Sequence, residues 1–279
     1  MTGIKRVGIV GMGLMGGSLA LALRASRPEL ELIGVEQDVD TRAAACERGF
    51  EVGADITTLV GCDLVVLAVP ISAMAQVLAD VRPVAGAALV TDLASTKTEI
   101  MGWARVIGLD LIGGHPMCGH EGSGFAVADG AIYRGAPWVL TREAPLLEAL
   151  VRSIGAVPLI MDPARHDHLV AGVSHAALML STAYMLAIGE SSDWAAMAEL
   201  AGPGFRDVSR LAGGDPRMYS SIAATNGHEV GVWLDAVIDS LTSMRDQLAD
   251  DPKALAARFE AASRLRRQWR QRSADVSSG

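Results

Sequence analysis

Arg6-Val-Gly-Ile-Val-Gly11-Met-Gly13-Leu14-Met15-Gly16-Gly-Ser-Leu-Ala20 is the stretch from which the fold follows. A short β-branched run from Arg6 to Val10 stops at a glycine, and residues of helical composition follow from Leu14 to Ala25. Between them lies the spacing G-x-G-x-x-G. Alone it is a weak signal, because small residues recur in any chain with 30 glycines. Between a strand and a helix it has a mechanism. The first glycine permits the tight turn, the second lets the backbone approach a pyrophosphate, and the third lets helix and strand pack closely. The unpaired N–H groups at the helix start then face the anion. Gly11, Gly13, Leu14, Met15 and Gly16 are therefore the expected cofactor-binding loop.

Such a loop calls for an acidic residue about 20 positions on, at the end of the next strand. Glu36 stands there, and its carboxylate suits the hydroxyls of an adenine ribose while repelling a 2′-phosphate. Gln37 and Asp38 supply no arginine for that phosphate, so the sequence favours NAD over NADP. Further along, Ala68-Val-Pro70 ends an apolar run, and a proline stops a strand ladder there. In a doubly wound sheet the cofactor crosses this edge, so Ala68 and Pro70 join the expected cofactor site, although a plain strand stop also explains the proline.

Outward from the loop, strands are predicted at Arg6–Val10, Leu30–Val35, Leu64–Val69, Ala87–Thr91, Leu109–Gly113, Trp138–Thr141 and Val157–Met161, with helical segments between. Continuous β-branched runs alternating with helices predict an α/β, Rossmann-type, doubly wound and mostly parallel sheet covered on both faces. The texture changes at Asp162-Pro163. Beyond it no strand is predicted, and helices are expected at His166–Gly189, Trp194–Leu200, Arg206–Ala212, Pro216–Ala224, Val230–Leu248 and Pro252–Arg272. Pro252 fits the first turn of its helix, where a missing N–H costs nothing. The expected organisation is a nucleotide-binding domain over 1–163 and an all-helical domain over 164–279. A helix as apolar as Leu178–Ile188 needs cover on most of its surface, either from a second copy in a homodimer through the helical domain or from burial within its own chain.

The chain has 279 residues and a formal net charge of -8, with half its residues hydrophobic. That apolar share builds a core and excludes disorder. The acidic balance argues against nucleic acid, which needs a basic face, but leaves anionic small molecules open. Arg264, Arg266, Arg267, Arg270 and Arg272 near the C-terminus read as cations favoured by a helix dipole. Cys46, Cys62 and Cys118 lack metal-ligand spacing and read as thiols of a reducing compartment; no metal site is expected. Met1 to Val10 lacks signal-peptide pattern. Ala176–Ile188 is shorter than the roughly 20 residues a bilayer demands. A cytoplasmic protein with no membrane partner is the expectation.

The densest cluster of glycine and polar residues is Gly113-Gly-His-Pro-Met-Cys-Gly-His-Glu-Gly-Ser-Gly124. It leaves a strand at the nucleotide edge. His115 is restrained by the following proline, and its imidazole suits proton acceptance near neutral pH. Asp92-Leu-Ala-Ser95-Thr-Lys97 leaves the preceding strand at the same edge, bringing Ser95 within reach of the same hydroxyl.

Together with Val173-Ser-His175 and Gly204-Phe-Arg206-Asp-Val-Ser-Arg210-Leu-Ala212, these motifs resemble the prephenate/arogenate dehydrogenase family of tyrosine biosynthesis, from Val7 to about Asn226. The resemblance implies a Rossmann domain plus a helical dimerisation domain. It implies NAD-dependent oxidative decarboxylation of prephenate, arogenate or both, giving 4-hydroxyphenylpyruvate or tyrosine. By motif match His115 is the base for the ring hydroxyl with Ser95 beside it, and Arg210 binds a substrate carboxylate with Arg206 assisting on the same helical face. The planar guanidinium suits that task. His175 points into the cleft. Glu121 would meet an α-ammonium or gate the cleft. The sequence departs from the family where Leu178 replaces a second histidine, and at Cys118 and His120. Three other readings stay open: a related cyclohexadienyl acid such as 4-amino-4-deoxyprephenate as substrate, a β-hydroxyacid dehydrogenase, and a non-enzymatic NAD sensor. Against the second, Lys5, Lys97 and Lys253 are the only lysines, and none lies in the 166–212 helices.

Overall fold

The computed structural model describes residues 3–119 and 122–278. Its first half alternates strand and helix: β1 (Arg6–Val10), α1 (Leu14–Ser26), β2 (Glu31–Val35), α2 (Val39–Glu47), β3 (Glu51–Gly53), β4 (Leu64–Leu67), α3 (Ile71–Val81), β5 (Leu89–Asp92), α4 (Thr98–Val106) and β6 (Leu111–Ile112). These six strands form one parallel sheet in the order β3-β2-β1-β4-β5-β6. The order reverses between β1 and β4, so the carboxyl ends of those two strands flank the crevice where such sheets bind ligands.

Alternation along each strand sorts the core to two faces. Val7 and Ile9 of β1 and Leu64 and Val66 of β4 pack with Leu19 and Leu23 of α1. Val10, Val65 and Leu67 point the other way and pack with Met74 and Leu78 of α3 and Ile100 of α4. Both faces are apolar because both are covered, which is why β4 reads as an unbroken Leu-Val-Val-Leu.

The remaining strands depart from the expected single sheet. β7 (Gly114–Pro116), β8 (Pro137–Leu140) and β9 (Val157–Ile160), with α5 (Pro145–Ser153) between the last two, form a separate three-stranded sheet. In it β7 runs antiparallel to β8, and β8 parallel to β9. The run predicted as one strand to Gly113 is thus two short strands in different sheets. Gly113 is the joint, and His115, expected in a loop, sits on β7. The sequence carries no cue for this, because a strand's partner is set by distant residues. β3, only three residues long, also escaped prediction.

From α6 (Pro163–Val170) onward no strand occurs among the described residues. Asp162 caps α6, accepting from the N–H groups of Ala164 and Arg165, with Pro163 at the first turn. A π-turn over Ala171–His175 joins α6 to α7 (Ala176–Gly189). The expected long helix is therefore one continuous run, Pro163–Gly189, of 27 residues. Unlike Ala176–Ile188 alone, this run is by length and composition long and apolar enough to cross a membrane. Its first half, however, carries His166, Asp167 and His175, all buried and hydrogen-bonded.

α8 (Trp194–Leu200) falls where expected. The predicted Arg206–Ala212 helix is instead α9 (Pro203–Ser209) followed by a 3-10 turn, Arg210–Gly213. Arg206 and Arg210 thus stand on different elements rather than one turn apart on one helix. The two helices expected at Pro216–Ala224 and Val230–Leu248 are one element, α10 (Pro216–Asp250), kinked at Asn226 (φ -137°, ψ 21°), and α11 (Pro252–Ser278) follows. Two compact units result, one from the N-terminus to Gly227 and one from His228 onward. In the first, Leu178 of α7 and Ile222 of α10 enter the core formed by β4, α3 and α4.

Candidate active site

The glycine loop has the geometry its spacing demands. Gly11 has φ +90°, and a Cβ there would lie 2.5 Å from the Ala68 carbonyl oxygen. A Cβ on Gly16 would lie 1.9 Å from the Gly11 oxygen, whereas one on Gly13 would meet nothing within 4 Å. The outer glycines are therefore packing residues, and the middle one faces open space at the N-cap of α1, as a phosphate cradle requires. Leu14 and Met15 form the first turn of α1; the Met15 carbonyl accepts from the Tyr133 hydroxyl at 2.6 Å. Ala68 lies beyond β4 and lends its N–H to the Val10 oxygen at 2.7 Å. Pro70 is the N-cap of α3.

Glu36 lies at the carboxyl end of β2. Its Oε2 accepts from the Met12 N–H at 2.8 Å and its Oε1 from the Asp38 N–H at 2.9 Å. The carboxylate is thereby tied to the glycine loop itself. Arg42, in the first turns of α2, donates to the Glu36 carbonyl at 2.6 Å and fixes the backbone beneath it. These residues fit a dinucleotide whose ribose is held by a carboxylate.

At the other end of the crevice lies a buried polar network. His115 on β7 is 9% exposed, and its Nδ1 is 2.8 Å from Nε2 of His166. Nδ1 of His166 is in turn 2.8 Å from Oδ1 of Asp167. That carboxylate accepts from the N–H groups of Lys97 and Thr98, both at 2.8 Å, where α4 begins. Burial, together with the charges of His166, Lys97 and His175, drives the His115 pKa well below the ordinary histidine value. Burial pushes Asp167 up, but its hydrogen bonds from His166, Thr98 and Lys97 outweigh that and hold it below the usual carboxylate value.

His175 closes the π-turn and is 1% exposed. Its Nδ1 is 3.1 Å from Nδ2 of Asn226, which also donates to the Asp167 carbonyl at 2.9 Å. Burial lowers its pKa to about 4. Beneath the site, Lys97 and Asp92 form a fully buried ion pair. Lys97 also donates to the Gly114 carbonyl at 2.7 Å, and Asp92 accepts from the N–H groups of Gly114 and Ala94, both at 3.0 Å. Both backbone groups of the residue before His115 are thus held by one ion pair.

Of the expected site residues, the structure joins His115 and His175 through His166, Asp167 and Asn226. Ser95 is half-buried in the β5–α4 turn, two residues before Lys97. The 3-10 turn opened by Arg210 docks on α7, where the Ala212 N–H donates to the Ser181 hydroxyl at 3.0 Å. Arg206 is exposed on α9. Glu121 and His120 lie outside the described residues. Among the described residues no cluster of three or more His, Cys, Asp or Glu has metal-binding geometry, and Cys46, Cys62 and Cys118 are free thiols. His166, Asp167, Lys97 and Asn226 were not singled out from sequence. The adjacent His166-Asp167 pair, just after the helix-starting Pro163, is the one local signal for those two residues, and Lys97 and Asn226 carry none.

Two family models match the chain. "Prephenate dehydrogenase, nucleotide-binding domain" matches residues 19–152, and "Prephenate dehydrogenase, dimerization domain" matches residues 162–260. A prephenate dehydrogenase of Lactococcus lactis is 32% identical over 236 residues, covering 80% of this chain and 65% of the relative. A cyclohexadienyl dehydrogenase of Zymomonas mobilis is 28% identical over 285 residues, covering 95% of this chain and 96% of the relative. The chain thus spans slightly under two thirds of the first relative's length and nearly all of the second's. Among solved structures, the Synechocystis arogenate dehydrogenase superposes with a TM-score of 0.81 at 30% identity, covering 95% of this chain and 99% of that one. Models that follow one another along most of the sequence, and a fold shared end to end with a solved relative, carry one conclusion: the chain belongs to the prephenate dehydrogenase family.

Proposed function

We propose that the chain catalyses NAD-dependent oxidative decarboxylation of prephenate, arogenate or both, yielding 4-hydroxyphenylpyruvate or tyrosine. The observation that carries the reading is His115. It is a buried histidine with a depressed pKa, on β7 beside the carboxyl end of β5, where Asp92 and Lys97 hold the preceding Gly114, and it is oriented by its hydrogen bond with His166. Its depressed pKa keeps the imidazole neutral near pH 7, so one ring nitrogen carries a lone pair that can accept a proton.

The glycine loop and the Glu36 carboxylate would hold the dinucleotide. When bound, NAD would supply the acceptor for the hydride that leaves C4 of the substrate ring. His115 takes the C4 hydroxyl proton, with Ser95 hydrogen-bonding the same oxygen. Arg210 binds a substrate carboxylate and Arg206 supports it electrostatically. His175, neutral near pH 7 because its pKa is about 4, offers a hydrogen bond rather than a charge. Aromatisation with loss of CO2 makes the overall step downhill. Glu36 favours NAD over NADP, because a 2′-phosphate would meet a carboxylate already fixed by two backbone N–H groups.

A division into a nucleotide-binding domain over 1–163 and a helical dimerisation and substrate-binding domain over 164–279 accords with the two matched models. A homodimer through the helices is part of the same reading. Tyr184 and Leu186 of α7, Leu200 of α8 and Val208 of α9 are exposed in the single chain, and a second copy would cover them. Membrane insertion is disfavoured, since it would take the buried His166–Asp167 pair of the same helical run out of its hydrogen bonds. A β-hydroxyacid dehydrogenase is disfavoured because Lys97 is fully buried against Asp92.

The test is purified protein with NAD and each substrate, followed at the NADH absorbance, with kcat/KM compared for prephenate and arogenate and for NAD and NADP. Turnover with neither substrate refutes the proposal. His115→Asn is expected to lose most of its kcat, about 10²–10⁴-fold for a general base, while NAD affinity is kept; an unchanged kcat removes His115 as the base.

A further inference from the structure

We propose that Asp167 sets His115 and His175 in opposite tautomers, so that His115 presents a lone pair on Nε2 and His175 presents an N–H on Nε2. The inference rests on His115 as the base and makes His166, Asp167 and Asn226 positioning residues. The logic is one of donors and acceptors. The Asp167 carboxylate already receives the N–H groups of Lys97 and Thr98 at 2.8 Å, and an ionised carboxylate only accepts. His166 Nδ1, 2.8 Å from Oδ1, must therefore carry the proton. A neutral imidazole with Nδ1–H has an acceptor at Nε2, and that atom lies 2.8 Å from His115 Nδ1. Nδ1 of His115 is then the donor, and its Nε2 is left with the lone pair a base needs.

The second arm starts from the same residue. The Asp167 carbonyl can only accept, so the Asn226 amide must turn its nitrogen toward it, at 2.9 Å. The other N–H of that nitrogen meets His175 Nδ1 at 3.1 Å. Nδ1 of His175 accepts, and the proton of its neutral ring sits on Nε2. The kink of α10 at Asn226 lies where this amide leaves the helix line. His166, Asp167 and His175 are each at most 2% exposed and Asn226 is 5% exposed, so little bulk water reaches these bonds to replace them. The rings of His115 and His166 cross at 77°, which fixes the plane of the base as well as its protonation.

When the hydroxyl O–H bond breaks and N–H forms at His115 Nε2, the new imidazolium already donates from Nδ1 to His166, and the Asp167 charge lies behind it. No proton need leave Asp167 or His166.

The test is long-range 1H–15N NMR of protein labelled with 15N-histidine, with signals assigned by single substitutions. His115 is expected in the Nδ1–H form and His175 in the Nε2–H form. In Asp167→Ala the oxygen that holds the His166 proton on Nδ1 is gone, so His115 should no longer be held as Nδ1–H and its Nε2–H form should appear. Its kcat should then fall about 10²–10⁴-fold, with KM and NAD affinity within about threefold. A merely structural role would lower thermal stability and leave the His115 tautomer as it was; that result overturns the proposal. If Asp167→Ala does not fold, the wild-type spectrum decides, and His115 protonated at Nε2 overturns it equally. The tautomers are read without substrate. Failure of the proposed reaction therefore shows as absent wild-type turnover, and failure of the relay as the wrong tautomer.

Discussion

Replacing Lys97 with Met isolates the electrostatic support beneath β7. The lysine is fully buried and pairs with a fully buried Asp92. Methionine nearly matches its volume, so the packing term is small. What remains is a stranded carboxylate. Losing one partner of a buried pair costs about 3–5 kcal/mol. Asp92 keeps two N–H donors, from Ala94 and Gly114 at 3.0 Å, which places the cost near the lower end, at about 3 kcal/mol. The Gly114 carbonyl also loses its 2.7 Å bond from Lys97, adding about 1 kcal/mol. A total of about 4 kcal/mol corresponds to a Tm fall of roughly 8–16 °C for a chain of this size. The assay is thermal unfolding by circular dichroism at one fixed protein concentration, because an oligomer's Tm depends on it. Asp92→Asn with Lys97→Met removes both charges and should recover about half the loss. A single variant within about 1 kcal/mol of wild type, or a double variant no more stable than the single, would refute the reasoning.

Three further outcomes are expected. Gly16→Ala places a methyl 1.9 Å from the Gly11 carbonyl, so the loop must shift; NAD binding should weaken at least about tenfold, about 1.4 kcal/mol, and an unchanged Kd in a fluorescence titration would contradict the loop's role. Arg210→Ala should raise KM far more than it lowers kcat, as loss of uniform binding does, and steady-state kinetics showing the reverse would reassign it. Stability should fall on acidification below about pH 6.5, the unfolded histidine value. His115 and His175 both have depressed pKa values in the folded state, so their contribution is complete above the unfolded value. For His175 it is lost as pH falls toward its folded value of about 4. Each contributes a slope of up to about 1.4 kcal/mol per pH unit, and a Tm flat between pH 6.5 and 4.5 would contradict the burial of neutral rings.

Much of the molecule is local and therefore legible in the sequence. The β1–α1 loop is specified by the glycines themselves, since Gly11 needs a positive φ and Gly16 has no room for a Cβ. Glu36 follows from the length of one βαβ step, and the end of the sheet region from Pro163, which opens a helix. His115, Ser95 and the Gly-Phe-Arg-Asp segment were legible through the family pattern rather than through spacing. The second sheet was not legible, because whether Gly114–Pro116 continues β6 or pairs with Trp138–Leu140 depends on residues about 25 positions away. Nor was the kink at Asn226 that merges two expected helices into α10, since the residue there leaves its helix line to reach Asp167 and His175.

The sequence by itself determined the nucleotide loop, the carboxylate after β2 and the two textures of the chain, and it singled out His115. Only the tertiary structure decided what stands behind that histidine. His115, His166, Asp167, His175 and Asn226 span about 110 positions of sequence, and each is polar, buried and uninformative alone. Their partners are fixed by chain crossings that no local propensity encodes: the start of α4 against α6, the π-turn that aims His175, and the amide of α10 returning to the same aspartate. A buried polar group must find a partner of opposite hydrogen-bonding sense, and only the folded backbone determines which partner is within reach.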